Sequence, residues 1–490
     1  MQRITAETDA PLFDIAATRR IEQAASAALP PHTLMQRAGR AVARLAMALA
    51  PDARTIWIAC GPGNNGGDGL EAAAQLKQAG FMPIVTLAGD EHSLPTDARA
   101  SLQRARDAGV VFVDSPPAGY QLAIDALLGI GASRPADGVM AAWLQAMNAS
   151  GPPVLCVDVP SGLNADTGAS SHGMVAHADA SRFCLTFLTL KPGLFTAHGR
   201  DAAGTVWFDD LGCGDTAEPP TARLAGPPRV RTRPHASHKG SYGDVAVVGG
   251  APGMAGAALL AASTALHAGA GRVLVGLLDP GAARVDVAQP ELMLRPLDTL
   301  DLSTMTAVCG CGGGTAVRAA LPRVLATAAA LVLDADALNA IAVDSALQAQ
   351  LAVRARRGRP TVITPHPLEA ARLLGRSAGD IQADRLAAAR QLASRFGVVA
   401  VLKGSGTVIA EPGHAVPVIN LTGNARLATA GTGDVLAGMI GAALAAQHPP
   451  FAAACEAVWQ HGRIADTWPA DAAPLTAGAL ARQSACRTAR

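Results

Sequence analysis

The chain of 490 residues is half hydrophobic, only 16% charged, and carries a formal net charge of +1. That balance excludes a disordered polypeptide, which needs low hydrophobicity and high net charge. It offers neither the clustered basic field nor, at 3% aromatic residues, the stacking platforms of a nucleic-acid binder.

A chain of this length accommodates two or three domains of roughly 100–200 residues each. No membrane span is expected, because the longest apolar run, residues 255–278, is broken by Ser263, Thr264, His267 and Arg272. The mixed, acidic N-terminus lacks the apolar core of a signal peptide. Eight scattered cysteines fit a reducing compartment, so a soluble, cytoplasmic protein is expected. Cys309 and Cys311 form a C-x-C inside a glycine run. Two thiols do not fill a zinc set, and the pair reads as structural.

In chain order, helices are predicted over residues 14–28 and 34–49. The strand ARTIWIAC follows, then the glycine turn GPGNNGGDG and the helical LEAAAQLKQAG. Further strands are FMPIVTLAG, VVFVD, QLAIDALLG, VLCVDVPSG, SRFCLTFLTLKPG and GTVWFDDLG. Many are continuously apolar, as strands buried on both faces are, and their alternation with helical stretches predicts βαβ units and a parallel sheet. Between about residues 212 and 233 a Pro-, Gly- and Arg-rich stretch without hydrophobic period reads as a linker. A second series follows: SYGDVAVVGG, GRVLVGLL, MTAVCGCGGG, ALVLDADALN, PTVITPHP and VVAVLKGSGTVIAEPG, with the helix of GTGDVLAGMIGAALAA after them. The expected architecture is α/β with two domains, residues 1–225 and 229–490.

In the first half, Gly61, Gly63 and Gly66 satisfy G-x-G-x-x-G. The acidic residue expected about 20 positions on is missing, so a plain strand-to-helix turn explains the match equally well. Asn64, Asn65 and Asp68 add small polar groups suited to a phosphate on a helix N-terminus with a cation beside it. Asp125, then Asp158 with Ser161, end two further strands, where ligands bind in open parallel sheets. Each alone is compatible with a buried, capped aspartate; three polar strand ends together point to one crevice.

The stretches NNGGDGLEAA, DALLGIG and DVPSGLNADTG, with KPG at residues 191–193, resemble the NAD(P)H-hydrate epimerases, the YjeF N-terminal domains, over about residues 10–212. The resemblance implies a Rossmann-like three-layer αβα fold acting on hydrated NADH or NADPH. It implies potassium on Asn65, Asp125 and Ser161. Substrate contacts would come from Asn64, Asn65, Gly66, Gly67 and Asp68, from Gly129, Ile130, Gly131, Ala132, Ser133, Arg134 and Pro135, and from Asp158. Epimerising a hydroxylated carbon needs a carboxylate that accepts and returns a proton, and Asp158 is the candidate.

In the second half, Gly431, Thr432 and Gly433 precede Asp434 and an apolar helix. Backbone amides there form an anion hole, and Asp434 can take a proton from an attacking hydroxyl; an ordinary helix N-terminal charge is the alternative. No Walker motif occurs, so Lys403 and the turn after it are the candidate phosphate binders. KGSYGDVAVVGG, LVLDADALN, TPHPLEAARLLG, VLKGSGTVI and NARLATAGTGDVLAG resemble the ribokinase-like ADP-dependent NAD(P)H-hydrate dehydratases, the YjeF C-terminal domains, over about residues 232–485. Two stretches depart from the family pattern. The usual H-P-G-E reads His366, Pro367, Leu368, Glu369, and G-P-G-L-G reads Gly310, Cys311, Gly312, Gly313, Gly314. The resemblance implies that Lys403, Gly404, Ser405, Gly406, Thr407 and Gly433 hold the adenine nucleotide. Ala257, Gly312, His366 and Asp434 would hold the damaged nicotinamide nucleotide; His366 read alone is equally a satisfied strand-end histidine. Mg2+ is implied with ADP, and homo-oligomers by both families. The expected function is bifunctional repair: epimerisation of both hydrates, then ADP-dependent dehydration of the S epimer to NAD(P)H. A ribokinase-like kinase of a vitamin precursor or sugar, fused to a nucleotide-binding domain, is the alternative.

Overall fold

The computed structural model describes residues 1–131, 135–149, 151–170, 181–229, 233–413 and 416–484. The chain forms two compact units: Met1–Thr5 with Ala10–Ala222, and Ala6–Asp9 with Arg223–Arg490. Residues 6–9 belong with the second unit because the Trp459 indole donates to the Ala6 carbonyl at 3.0 Å and Arg223 pairs with Asp9 at 2.7 Å. No helix among the described residues is long and apolar enough to cross a membrane.

The first unit is built on a sheet whose strands lie in the order Gln2–Arg3, Thr205–Asp209, Arg182–Phe187, Val154–Val157, Leu122–Ala126, Thr55–Cys60, Met82–Leu87, Val111–Phe112. All neighbours are parallel except the short N-terminal strand. The central strands are apolar on both faces, and Ile56, Trp57, Ile58, Leu122 and Ile124 are fully buried, because helices cover both sides. From Thr55–Cys60 the chain first winds outward through Met82–Leu87. It then returns to place Leu122–Ala126 on the other flank. The point where the winding reverses lies between Thr55–Cys60 and Leu122–Ala126, and crevices open at the carboxyl ends there.

The second unit repeats the principle with a different order: Met293–Leu294, Arg272–Leu277, Asp244–Gly249, Thr306–Cys309, Ala330–Leu333, Thr361–Ile363, Val399–Leu402, Val408–Ala410, Val418–Ile419, Ala222–Leu224. Its reversal falls between Asp244–Gly249 and Thr306–Cys309. The hairpin from Val399–Leu402 to Val408–Ala410 is antiparallel. Ala222–Leu224, inside the stretch read as a linker, is a strand pairing in parallel with Val418–Ile419.

At the first reversal the two strand-end turns touch. A Cβ on Gly61 would lie 1.8 Å from the Leu127 carbonyl oxygen, so only glycine permits the approach. Gly61→Ala is therefore expected to destabilise the first unit by about 1–3 kcal/mol, the usual range for overpacking. Chemical denaturation followed by circular dichroism would read it as an unfolding transition at lower denaturant than in the wild type.

Candidate active sites

In the first unit, the helix expected after the glycine turn begins earlier, at Asn64, with Gly63 as its N-cap. NNGGDG is thus helical, and Asn64, Asn65 and Asp68 face a cavity of about 500 Å³. Gly129, Ile130, Gly131 and Asp158 line the same cavity. Gly66 and Gly67 serve packing instead: one sits over the Gly61 carbonyl, the other against Met35 and Ala98. Pro135 is exposed, and Ala132, Ser133 and Arg134 lie outside the described residues.

Asp158 follows the strand Val154–Val157 with φ +63°, a left-handed conformation that costs a non-glycine residue on the order of 1–3 kcal/mol. Its surroundings hold it there. Its amide donates to the Leu185 carbonyl at 2.8 Å. Oδ1 accepts from Lys191 Nζ at 2.6 Å, and from Thr186 Oγ1 and the Phe187 amide at 3.3 Å. Lys191 is 1% exposed and also donates to Thr186 Oγ1 and the Phe187 carbonyl, so its three protons all have acceptors. Burial, and then the Asp158 charge, push the Asp68 carboxyl well above its usual range. Glu22, on the helix Ile15–Ala28, lines the cavity as well. Burial and then Asp158 raise its pKa, against Lys191 and Arg19. No motif marked Glu22. The available signal was Thr18, Glu22 and Ser26, a polar stripe at helical spacing that all lines the cavity.

Asp125 and Ser161 are buried and bonded to each other: Ser161 Oγ donates to Asp125 Oδ1 at 2.6 Å and the Ser161 amide to Oδ2 at 3.0 Å. The Leu127 and Leu128 amides of the cavity wall donate to Asp125 Oδ1 and Ser161 Oγ. Asn65 Nδ2 is buried without a hydrogen-bond partner. Amide oxygen and nitrogen are interchangeable by rotation, so the end of Asn65 without a partner can equally be its oxygen.

In the second unit, Asp434 is the third residue of the helix Thr432–Ala445, which starts from Gly431 at φ +90°. Burial first, then the nearby Asp334 charge, push its pKa up to about 6. Asp334, at the end of the strand Ala330–Leu333, accepts from Lys403 Nζ at 2.7 Å and Thr364 Oγ1 at 2.8 Å. Lys403 ends the strand Val399–Leu402, and Gly433 sits beside it: a Cβ there would be 3.4 Å from Nζ. The turn after Lys403 needs glycine, since Gly404 has φ +137°. Arg385 supports it from below, donating to the Leu402 and Lys403 carbonyls. Thr407 Oγ1 donates to the Gly404 carbonyl at 3.0 Å. Ala257 packs on Gly312, where a Cβ would lie 2.8 Å from its own.

His366 has a local task that the sequence left open. It is the N-cap of the helix Pro367–Leu374, its Nδ1 accepting from the Leu368 and Glu369 amides while Glu369 accepts from the His366 amide. HPLE is therefore a capping box, with Leu368 half-exposed, so leucine in place of the pattern's glycine leaves the turn intact. Sequence reasoning also passed over Asp334 and Cys311. Asp334 carried the same signal as Asp125 and Asp158, an aspartate closing an apolar strand. Cys311, read as structural, has its Sγ within 4.8 Å of carboxylate oxygens of Asp334 and Asp434.

The chain matches the family profile of the YjeF-related protein N-terminus over residues 31–193 and that of NAD(P)H-hydrate dehydratase over residues 245–485. The bifunctional NAD(P)H-hydrate repair enzyme Nnr of Escherichia coli is 38% identical over 454 residues, 89% of this chain and 85% of its own length. The ADP-dependent (S)-NAD(P)H-hydrate dehydratase of Neisseria meningitidis is 44% identical over 262 residues, 52% of this chain and 86% of its own. Among solved structures, the ADP/ATP-dependent NAD(P)H-hydrate dehydratase of Bacillus subtilis, co-crystallised with ATP/Mg2+, is 31% identical with a TM-score of 0.43, covering 51% of this chain and 91% of that one. Two profiles in series, and a relative alike over most of both chains, place the protein in the family of bifunctional NAD(P)H-hydrate repair enzymes.

Proposed function

We propose that the two polar centres divide the repair between them, the Asp158 cavity epimerising the hydrate and the Asp434 centre dehydrating it. The enzyme interconverts the R and S hydrates of NAD(P)H and dehydrates the S form at the expense of ADP. The observation that carries the division is that each unit has its own sheet, its own winding reversal and its own carboxylate at that edge.

In the first centre, Asp158 takes a proton at the hydroxylated ring carbon and returns it, while Lys191 keeps the carboxylate oriented between turnovers. Asn64, Asn65 and Asp68 at the helix start, with residues 129–135, would receive the diphosphate and ribose. Asn65, Asp125 and Ser161 fit a monovalent cation, because all three can offer oxygen and Asn65 has a buried polar end without a protein partner. Potassium held there would supply positive charge against the diphosphate. Zinc would want Cys or His, and magnesium more carboxylates and water.

In the second centre, Asp434 takes the proton of the ring hydroxyl as that oxygen accepts a phosphoryl group from ADP. Cleavage of the carbon–oxygen bond then releases phosphate, AMP remains, and loss of a ring proton restores the double bond. Lys403, Gly404, Ser405, Gly406, Thr407 and Gly433 would hold the nucleotide phosphates, with Ala257, Gly312 and His366 beside the nicotinamide nucleotide. Mg2+ enters as part of the nucleotide substrate. The one nearby cluster of ligating side chains among the described residues contains a thiol, and Lys403 already occupies its Asp334, a poor match to a hard cation. A cytoplasmic location is supported by seven free cysteines among the described residues. Homo-oligomeric assembly rests on the family resemblance alone.

The first test is direct: purified protein with hydrated NADH and ADP should restore NADH absorbance from both epimers. Asp158→Asn should confine turnover to the S epimer and leave the R epimer unconsumed on chiral chromatography; continued consumption of R removes Asp158 from the mechanism. Asp434→Asn should cut dehydration about 10²–10⁴-fold, the usual worth of a general base, with calorimetric ADP binding nearly unchanged. Asp434 must be ionised to act, so dehydration should fall as pH drops through about 6 and level off above it. The stability sign is opposite. A raised carboxyl pKa means the folded state binds the extra proton, so this group favours folding at low pH and costs stability as pH climbs from 3.8 towards 6. Asp125→Ala should slow epimerisation and abolish its potassium dependence while S-epimer dehydration persists; equal wild-type rates in sodium, potassium or neither would refute the cation assignment.

A further inference from the structure

Asp434 stands in a crowded electrostatic setting. Asp334 lies at the neighbouring strand end, its carboxylate oxygen within 4.8 Å of that of Asp434. The Lys403 ammonium, which acts on Asp434, bonds to Asp334. Asp336 adds further negative charge while its Oδ2 pins the Gly314 amide at 2.8 Å. On the packed helix Pro450–Asp466, His461 meets the Thr432 carbonyl at 2.9 Å; burial lowers its pKa to about 4, so it brings no charge. Two acids thus face each other with one ammonium, and that ammonium bonds to the acid that does not act on substrate.

Cys311 stands beside this pair. Its thiol is fully buried, with Sγ within 4.8 Å of carboxylate oxygens of both Asp434 and Asp334. Burial keeps the thiol far above its usual pKa, so it is an S–H at neutral pH with a proton to give. Its backbone is fixed independently: the Cys311 carbonyl accepts from the Gly250 amide at 3.0 Å across the winding reversal. Proline, found at this place in the pattern that the chain otherwise resembles, has no side-chain proton to give. We propose that Cys311 is a positioning residue for dehydration, its thiol donating to the Asp434 carboxylate and holding it in the attacking orientation against Asp334. The inference rests on the reading of Asp434 as the base. A hydrogen bond to the ionised form favours that form, so Cys311 also sets how far down in pH the base stays competent.

The experiment is the pH profile of kcat/KM for S-hydrate dehydration in the full chain. Cys311→Ala, which removes the donor, should move the acid midpoint up by about one unit and lower the rate well below it about tenfold, one pKa unit being a factor of ten. Cys311→Ser, whose hydroxyl can donate in the same place, should bring the midpoint back towards that of the wild type. Calorimetric ADP binding by both variants serves as the internal check that the second unit is folded. An unmoved midpoint in Cys311→Ala, or a Cys311→Ser profile no better than that of Cys311→Ala, overturns the positioning role. Asp434→Asn separates this from the underlying reading. If its residual activity keeps the acid limb, Asp434 is not the base. If the limb vanishes there yet stays fixed in Cys311→Ala, only the role of Cys311 fails.

Discussion

A carboxylate at the buried end of a parallel strand has lost its water and must be given donors by the chain, or it will protonate or unfold its surroundings. This requirement organises both functional edges. Asp125 is satisfied by the hydroxyl and amide of Ser161 from the next strand's turn, Asp158 by Lys191 beyond the strand after it, and Asp334 by Lys403 and Thr364 from two further strand ends. Each bond draws the turn of one strand onto that of another. The loops that would otherwise be the mobile part of an α/β fold are thereby stapled into walls. Such buried pairs add little net stability; what they supply is register among turns that carry the chemistry.

The composition serves the same end. Alanine and glycine let helices sit close to the sheets, and the close approach brings helix N-termini up to the strand ends. Asn64 and Thr432 begin their helices within the strand-end clusters rather than after a long loop. Backbone amides are then aimed at the crevice, and the helix start provides a fixed field for anionic groups. Arg385, in the second unit, donates to the backbone carbonyls of Leu402 and Lys403 and so holds the turn that follows.

Much of this was legible from the residues. Continuous apolar strands, the alternation with helices, and the aspartates closing strands located both edges, because burial on two faces leaves a local signal. What was not legible depended on partners distant in sequence. Gln2–Arg3, Met293–Leu294 and Val418–Ile419 are two residues long and carry no period; only pairing makes them strands. Glu22 sits on a helix that gave no motif, and its role follows from which face the sheet leaves open. His366 had both readings available, and its capping of Pro367–Leu374 depends on Glu369 folding back onto its amide. Cys311 read as filler because a thiol acquires meaning only from the acid beside it.

The two proposed bases are held in different ways, and the reactions account for it. Epimerisation returns every proton it takes, so a base that is bonded to an ammonium throughout the cycle suffers no loss by it: the Asp158–Lys191 pair is the same before and after turnover. Dehydration passes the hydroxyl proton on for good while a phosphoryl group arrives at the same oxygen. An ammonium bonded to that base would weaken it just when it must compete for the proton. Placing the lysine on Asp334 instead leaves Lys403 beside Gly433, at the helix start where the incoming phosphate would sit. The acting carboxylate is left poised near pH 6 by burial and a like charge. On the proposed assignment, the same three ingredients, a strand-end acid, a lysine and a helix start, serve a reversible reaction in one unit and a driven one in the other, according to which carboxylate the lysine pairs with.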